Sequence, residues 1–345
     1  MSVVEKLGSR ITNTNMKPNS RLGSVYLRRY DCSKHTFFDH LDQPDSPNVS
    51  QDGALSHENY YCSSRELVLS HFFNERAMEL PLFSIVIPCY NAQATLVRAV
   101  ESCFAQSERS AEIILVDDAS QDATSRIMTA LVAQAPADMP VRIHHMSKNG
   151  GPSRARNQGW DMACGRYIAF LDADDCWDND KLQHILSVIR HSSDDVVLIG
   201  HAHRQLDDLR QADAQLRATC LPGWRVLLRN IAQTSCVVVS RRLSLRFDTD
   251  MRFAEDHDLW VRIARLGKVI YLPCPAMTRL GRPQLSAGGL SGQRWDMRRG
   301  ELYMYVKAAR NHVTVLVCLP LLIAFSLLKH LWSSARLLKQ SQVNA

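Results

Sequence analysis

Alternating apolar runs and helical segments, beginning at Phe83, constrain the fold most strongly. The runs FSIVIP, EIILV and RYIAFL are apolar without interruption, which is typical of strands buried on both faces, and VRIHHM and DVVLIG continue the series. The segments between them have helical periodicity, at residues 91–104, 123–134, 153–163 and 181–190. Because the connections are short, this pattern predicts an α/β fold, with an open, mainly parallel, Rossmann-like sheet and helices on both faces.

The organisation along the chain follows from length and composition. A chain of 345 residues with 46% hydrophobic residues suffices for one large α/β domain with appendages. Residues 1–77 are rich in Ser, Asn, Asp and His without any sustained period, which predicts a weakly ordered extension, and a translation start at Met78 is an alternative. We expect the domain at residues 82–305, in two halves at 82–195 and 196–305.

The net charge of +6 is spread along the chain and not concentrated in one tract. Nucleic-acid binding would require denser basic clusters with interleaved aromatic residues, so we expect no nucleic-acid partner. Anionic phosphate groups or lipid head groups fit this charge better. The N-terminus has no apolar stretch of the secretory kind, and cysteines such as Cys89, Cys103 and Cys236 lie in apolar runs as small hydrophobic residues.

The last 40 residues, 306–345, contain the apolar segment VTVLVCLPLLIAFSLL at 313–328. At 16 residues it is shorter than the roughly 20 that a spanning helix needs, and Pro320 interrupts it. It is apolar on all sides and followed by Lys329, Arg336 and Lys339. We therefore predict a C-terminal membrane-embedded or interfacial helix, with a single short span as the alternative, at the cytoplasmic face of the inner membrane.

Polar residues follow three of the predicted strands at the point where each strand ends. FSIVIP ends in CYN, EIILV ends in DD, and RYIAFL ends in DADD. Ligands of open α/β sheets bind at the carboxyl ends of the strands, so these residues are predicted to converge. Asp172 and Asp174, with Asp175 next to them, offer oxygen ligands that suit Mg²⁺ or Mn²⁺ completed by phosphates and water. The alternative is a solvated turn whose aspartates cap the following helix.

Other residues at these strand ends are candidate nucleotide contacts. Asp117 and Asp118 could accept hydrogen bonds from a base N–H or a ribose hydroxyl, whereas Asp122 is better suited to cap a helix. Tyr90 and Asn91 could stack on a base and bond to it. The NGGP turn at residues 149–152 exposes backbone N–H groups at a helix start.

Basic and acidic groups near two helix starts are candidates for phosphate binding and catalysis. Arg154 and Arg156 could reach a phosphate or ribose, or form surface ion pairs. In FAEDHDLWVRI, Glu255 and Asp256 precede an amphipathic helix, either as acids that stabilise the helix dipole or as a general base. His257 is an alternative base.

The motifs together resemble the family 2 glycosyltransferases of the GT-A fold. They are FSIVIPCYNAQATLVRAVESCFAQ, EIILVDDASQDAT, NGGPSRARNQGW, GRYIAFLDADD and AEDHDLWVRI, in the family's order and spacing across residues 82–266. The resemblance implies a role for nine residues. The base and ribose would be held by Pro88, Tyr90, Asn91 and Asp117 or Asp118, the nucleotide by Arg156, the ribose by Asp172 and the metal–diphosphate by Asp174, with Asp256 as catalytic base.

The resemblance also implies an activity. We expect an inverting, hexosyltransferase-type enzyme that depends on Mg²⁺ or Mn²⁺. It would move a sugar from a nucleotide-sugar, which we expect to be a UDP-sugar, to a lipid-linked saccharide acceptor. The product would belong to exopolysaccharide or lipopolysaccharide synthesis. His257 replaces the family's Trp in E-D-W. No Q-x-x-R-W motif follows, so one sugar should be added per encounter.

Two other functions remain open from sequence. A sugar-1-phosphate nucleotidyltransferase also combines a nucleotide-binding sheet with carboxylates, but it should carry a Gly-rich basic loop where this chain has PCYNAQ. A non-catalytic, membrane-bound module could retain the fold. The presence of both Asp174 and Asp256 argues against a non-catalytic module.

Overall fold

The computed structural model describes residues 80–206, 216–281 and 293–343. The predicted weakly ordered extension at residues 1–77 lies outside the described residues. The first strand starts at Phe83, and the C-terminal apolar segment forms a helix.

Within the described residues, eight strands form the main sheet. Their bounds are β1 Phe83–Cys89, β2 Ala111–Asp117, β3 Val141–His145, β4 Tyr167–Phe170, β6 Val196–His201, β8 Arg217–Leu221, β9 Val237–Ser240 and β10 Lys268–Cys274. They lie side by side in the order β3-β2-β1-β4-β9-β6-β10-β8. A second sheet contains three very short strands, β5 Cys176–Trp177, β7 His203–Gln205 and β11 Thr278–Leu280, in the order β5-β11-β7.

The main sheet is mostly parallel, as predicted. Strand β1 pairs in parallel with β2 and β4, β2 pairs in parallel with β3, and β6 pairs in parallel with β10. Strand β9 runs antiparallel between β4 and β6, and β8 runs antiparallel to β10 at the edge. The carboxyl ends of β1, β2 and β4 therefore meet at one edge of the sheet.

Helices cover both faces of the sheet, as the alternating pattern predicted. The helices of the described residues are α1 Leu96–Phe104, α2 Thr124–Ala133, α3 Pro152–Met162, α4 Lys181–Arg190, α5 Gly223–Leu228, α6 Glu255–Ile263, α7 Arg294–Arg310 and α8 Val313–Val343. Alternate residues of a strand point to opposite faces, so Ile85 and Ile87 pack with α1, α2 and α4, and Val86 packs with α3, α6 and α7. Cys89, Cys103 and Cys236 are buried in these two layers.

The predicted helix at residues 91–104 begins five residues later than expected, at Leu96. Asn91 has a positive φ of 49°, and its backbone N–H donates to the Ser120 hydroxyl across the loop. The backbone N–H of Gln93 donates to Asp122 in the same neighbouring loop, and the N–H of Ala92 donates to the Thr124 hydroxyl at the start of α2. These hydrogen bonds hold residues 91–93 in an extended turn at the strand end and delay the helix.

The two C-terminal helices pack on each other through a buried ionic cluster. Glu301 on α7 accepts hydrogen bonds from Arg298, Tyr305 and, across the interface, Ser326 and Lys329 on α8. Lys329 also donates to the Leu228 carbonyl on α5. Within the described part of the chain, no helix is both long enough and apolar enough to span a membrane.

Gly159 tests the contact between α3 and the sheet. A Cβ at this position would lie 2.4 Å from Val86 Cγ1, so Gly159→Ala would overpack this contact. Overpacking costs about 1–3 kcal/mol, more than the roughly 1 kcal/mol that alanine gains in a helix interior, so we expect a lower free energy of unfolding in urea. Gly223→Ala is the control, because a Cβ at this position would lie 3.7 Å from its nearest neighbour, the Ala264 carbonyl oxygen. Equal stability of the two variants would contradict this packing account.

Candidate functional site

A cleft of about 840 Å³ opens at the carboxyl ends of β1, β2 and β4. Eight of the nine residues predicted from the sequence line it, namely Pro88, Tyr90, Asn91, Asp118, Arg156, Asp172, Asp174 and Asp256. The ninth, Asp117, is buried just behind it. The topology thus brings together residues that are up to 168 positions apart in the chain.

At one end of the cleft the loops after β1 and β2 are joined by hydrogen bonds. The Asn91 side-chain oxygen accepts from the Gln121 N–H at 2.9 Å, and Ser120 Oγ accepts from the Asn91 N–H at 3.1 Å. Tyr90 next to them is 52% exposed, so its ring face is open to a flat ligand. This end suits a nucleobase, which stacks on aromatic rings.

Asp117 and Asp118 have different neighbours. The Asp118 carboxylate accepts hydrogen bonds from the backbone N–H groups of Gly150 and Gly151, at 2.7 and 2.8 Å. Asp117 Oδ2 lies 3.0 Å from His145 Nδ1, and its Oδ1 accepts from the Ser120 N–H. Each carboxylate therefore fixes a loop of the cleft, and Asp118 also lines it. Their contact with a base or ribose stays a prediction.

Arg156 on α3 is the buried cation of the cleft. Its Nη2 donates to Asp172 Oδ1 at 2.7 Å, and its Nη1 donates to Glu255 Oε1 at 3.3 Å. Burial would lower the pKa of Arg156, but the charges of Asp172 and Glu255 raise that pKa above its usual value. One guanidinium thus connects the end of β4 with the start of α6.

Ser235 holds the acidic loop by hydrogen bonds, and no sequence motif predicts this role. Its hydroxyl donates to Asp175 Oδ2 at 2.5 Å and accepts from the Asp172 N–H at 3.0 Å. Its backbone carbonyl accepts from Trp177 Nε1, Lys181 Nζ and Thr278 Oγ1, a set of buried donors. Asp175 Oδ1 also accepts from the Gly281 N–H at 2.9 Å. Asp175 therefore holds the loop in place, which leaves Asp172 and Asp174 to line the cleft with their side chains.

The carboxylates of this loop fit a hard divalent cation. Burial, together with the negative charges of Asp172 and Asp174, raises the pKa of Asp175 to about 7, so the loop has an excess of negative charge. Among the described residues, no three His, Cys, Asp or Glu side chains are arranged to hold a metal by themselves. Mg²⁺ and Mn²⁺ commonly bind to one or two carboxylates and take their remaining ligands from substrate phosphates and water, so the donor set fits this mode.

Glu255 and Asp256 begin α6 at the other side of the cleft. The preceding Ala254 has a left-handed φ of 57°, a strained conformation for alanine that turns the chain sharply into the helix. Asp256 Oδ2 accepts from Asn230 Nδ2 at 2.8 Å. Burial and the charge of Asp256 raise the pKa of Glu255 to about 7. The region therefore has two carboxylates with different surroundings, and sequence reasoning did not find the Asn230 contact.

His257, the alternative base, does not line the cleft. Its ring is buried, and its Nε2 lies 2.7 Å from the Val226 carbonyl on α5. Burial lowers the pKa of His257, which favours the neutral ring. The side chain that replaces the expected tryptophan therefore packs α6 against α5.

Comparison with known proteins indicates the family of this domain. The glycosyl transferase family 2 model matches residues 84–251, which include the loops after β1, β2 and β4. These residues form a family 2 glycosyltransferase domain. The domain is 41% identical over 142 residues to an uncharacterized glycosyltransferase of Haemophilus influenzae, covering 41% of this chain and 54% of that protein. It is 35% identical over 198 residues to the succinoglycan biosynthesis protein ExoO of Rhizobium meliloti, covering 52% and 55%.

Two solved structures share the fold of this domain. The S. aureus protein TarS, residues 1–349 in complex with UDP-GlcNAc, superposes with a TM-score of 0.52 at 20% identity, covering 65% of each chain. The mannosyltransferase PcManGT from Pyrobaculum calidifontis, in complex with GDP-Man and Mn²⁺, gives 0.52 at 16% identity, covering 79% and 82%. The chain spans about half the length of the two curated relatives named above.

Arg156→Gln tests the bridge between β4 and α6. The variant leaves two poorly exposed carboxylates without their cation, so we expect the free energy of unfolding to fall by about 2–4 kcal/mol. Arg166→Gln is the matched control, because Arg166 pairs with an aspartate that is 95% exposed and should change stability by less than about 0.5 kcal/mol. Urea denaturation measures both. A loss no larger than that of the control would refute the structural role of Arg156.

Asp175→Asn tests the crowding of negative charge by its pH dependence. The pKa of Asp175 is raised to about 7 in the folded protein, so its stabilising contribution is complete below its unfolded pKa near 4 and is lost as pH rises through 7. Between pH 5 and 7 without metal, the wild type should lose about 1 kcal/mol per pH unit relative to Asp175→Asn. Urea denaturation at several pH values measures this, and Asp194→Asn is the exposed control. Parallel pH profiles for wild type and Asp175→Asn would contradict the prediction.

Proposed function

We propose that this chain is an inverting, metal-dependent glycosyltransferase that moves a sugar from a UDP-sugar to a lipid-linked saccharide acceptor in surface polysaccharide synthesis. The proposal rests on one cleft that is lined by three kinds of group. They are the exposed aromatic ring of Tyr90, the acidic pair Asp172 and Asp174, and the separate carboxylate of Asp256. The name of ExoO, a succinoglycan biosynthesis protein, supports a polysaccharide product. The UDP-GlcNAc bound to TarS supports a UDP-sugar donor.

The donor nucleotide would lie along the strand ends. Tyr90 would stack on the base, and Asn91 and Asp118 border the same end of the cleft. Asp172 would accept from a ribose hydroxyl, held in position by Arg156 and by the Ser235 hydroxyl on its backbone N–H. The backbone N–H groups at the start of α3 are suited to an anionic diphosphate.

Asp174 would hold the divalent cation, with the donor diphosphate as its other partner. The Asp174 carbonyl accepts from Arg98 Nη2 at 2.7 Å, which fixes the backbone of this residue. When bound, the cation would neutralise charge that grows on the diphosphate as the bond to the sugar breaks. The Mn²⁺ in the PcManGT complex supports this choice of ion.

Asp256 would take the proton from the acceptor hydroxyl. The acceptor oxygen then bonds to the anomeric carbon as the bond to the diphosphate oxygen breaks, and one displacement of this kind inverts the configuration. Asn230 holds one Asp256 oxygen by a hydrogen bond and so orients the carboxylate. Glu255 is engaged by Arg156, so Asp256 is the better placed of the two acids for proton transfer.

The acceptor would be reached at the cytoplasmic face of the inner membrane. Helix α8 turns several apolar side chains outward, among them Val313, Val317 and Leu321, which are 73–78% exposed. A surface of this kind is suited to the interface of a bilayer. Contact of α8 with the bilayer would thus bring the cleft close to a membrane-bound saccharide.

A donor screen tests the proposed activity. Purified protein is incubated with UDP-, GDP- and dTDP-sugars with and without Mn²⁺, and release of nucleoside diphosphate is measured. We expect release from at least one UDP-sugar that requires the cation. A sugar-1-phosphate nucleotidyltransferase would instead release pyrophosphate from a nucleoside triphosphate. If neither nucleoside diphosphate nor pyrophosphate is released and no nucleotide binds, the proposal that the protein is an enzyme is refuted.

Asp256→Asn tests the assignment of the base. The amide keeps the size and one hydrogen-bond acceptor of the side chain but cannot take a proton, so transfer should fall by at least about 100-fold while the affinity for UDP stays unchanged. Turnover and UDP affinity are measured on the same preparation. Glu255→Gln is the matched comparison, and it should retain more transfer than Asp256→Asn. Near-normal turnover of Asp256→Asn would show that another group is the base.

A further inference from the structure

A second groove, of about 380 Å³, lies between α5, α6, α7 and α8. It shares no lining residue with the catalytic cleft. Most of its lining surface is apolar, and aliphatic side chains come from all four helices, with Leu227, Val261, Ala308, Val315 and Leu322 among them. Its size lies within the range of pockets that bind small molecules, and its apolar walls suit a hydrocarbon chain.

The charged groups inside this groove neutralise one another. Lys307 Nζ donates to Asp248 Oδ2 at 2.5 Å and to Asp258 Oδ2 at 2.9 Å. Arg262 Nε donates to the same Asp258 oxygen at 2.8 Å. This network fixes the groove wall and provides no unpaired charge for a ligand.

The rim of the groove, in contrast, is aromatic and cationic. Trp224 is 59% exposed, and the Arg225 guanidinium lies 5.4 Å from the centre of its ring. Arg265, also exposed, lines the groove as Trp224 does, and no carboxylate among the described residues pairs with Arg265 or Arg225. Tryptophan and arginine are favoured where hydrocarbon meets lipid head groups.

The outward face of α8 continues from this groove. Cys318 and Leu322 line the groove, and on the same turns Val317 and Leu321 are each 73% exposed. An apolar surface that runs without interruption from an open helix face into a groove allows a chain from a bilayer to enter sideways. The cationic rim would then meet the head group.

We propose that this groove binds one anionic phospholipid of the bilayer. An acyl chain occupies the space between Val261 and Leu322, and the phosphate contacts Arg265 and Arg225 at the rim. The inference rests on the membrane association in the proposed function and does not depend on the proposed sugar transfer. It gives the protein a preference for anionic membranes that the apolar face of α8 alone would not produce.

The test uses a lipid that does not form membranes. Dihexanoyl phosphatidylglycerol is added below its critical micelle concentration, and the rate of maleimide labelling of Cys318 is followed by peptide mass spectrometry. Cys318 is exposed and lines the groove, whereas the exposed Cys220 on β8 does not and serves as the internal reference. At a lipid concentration ten times its dissociation constant, labelling of Cys318 should slow about tenfold and labelling of Cys220 should not change.

Lipid charge and groove shape are tested separately. Dihexanoyl phosphatidylcholine should protect Cys318 several-fold less, and Arg265→Glu should remove this preference, whereas Arg126→Glu, a charge reversal on the distant α2, should keep it. Ala308→Trp should fill the groove and abolish protection. Unchanged labelling of wild-type Cys318 by either phospholipid overturns the proposal, as does protection only by a short prenyl phosphate. Release of nucleoside diphosphate in the same preparations reports the proposed activity independently.

Discussion

The buried guanidinium of Arg156 is the interaction on which the site depends. It contacts Asp172 at the end of β4 and Glu255 at the start of α6, and so joins the nucleotide side of the cleft to the side that carries Asp256. A buried charge is costly unless it is paired, and the two terminal nitrogens of Arg156 are each paired with a carboxylate, which ties α3 to the end of β4 and the start of α6. The acidic loop and the helix that carries the proposed base are therefore connected through one side chain.

The antiparallel strand β9 supplies the second constraint. It lies between β4 and β6, and the short 3-10 helix Thr234–Cys236 before it places Ser235 beside the acidic loop. The Ser235 hydroxyl bonds to the Asp175 carboxylate and the Asp172 backbone N–H. Its carbonyl accepts from the side chains of Trp177, Lys181 and Thr278. Three closely spaced acids would repel one another in a free loop, and these hydrogen bonds hold the loop in one arrangement at the cleft.

The sequence predicted what depends on local pattern. Uninterrupted apolar runs located the strands, and polar residues after those runs located Tyr90, Asn91, Asp118, Asp172 and Asp174 in the cleft. Arg156 and Asp256 were candidates from two helix starts, and the role of Pro88 came only from the family resemblance. The sequence could not predict contacts between distant segments, such as Ser235 with Asp175 or Asn230 with Asp256, because Ser235 and Asn230 lie in no recognisable pattern. The strands of the second sheet, two or three residues long, are too short for periodicity, and the delayed start of α1 depends on hydrogen bonds to another loop.

The central claim is that the acidic loop holds a divalent cation through Asp174 together with a nucleoside diphosphate. Calorimetric titration of UDP into the protein, with and without Mn²⁺, tests it most directly, with Asp174→Ala measured in parallel. Mn²⁺ should tighten UDP binding at least about tenfold in the wild type, equivalent to about 1.4 kcal/mol, and Asp174→Ala should lose this gain. Equal UDP affinity with and without Mn²⁺ in the wild type, or an undiminished gain in Asp174→Ala, would contradict the account.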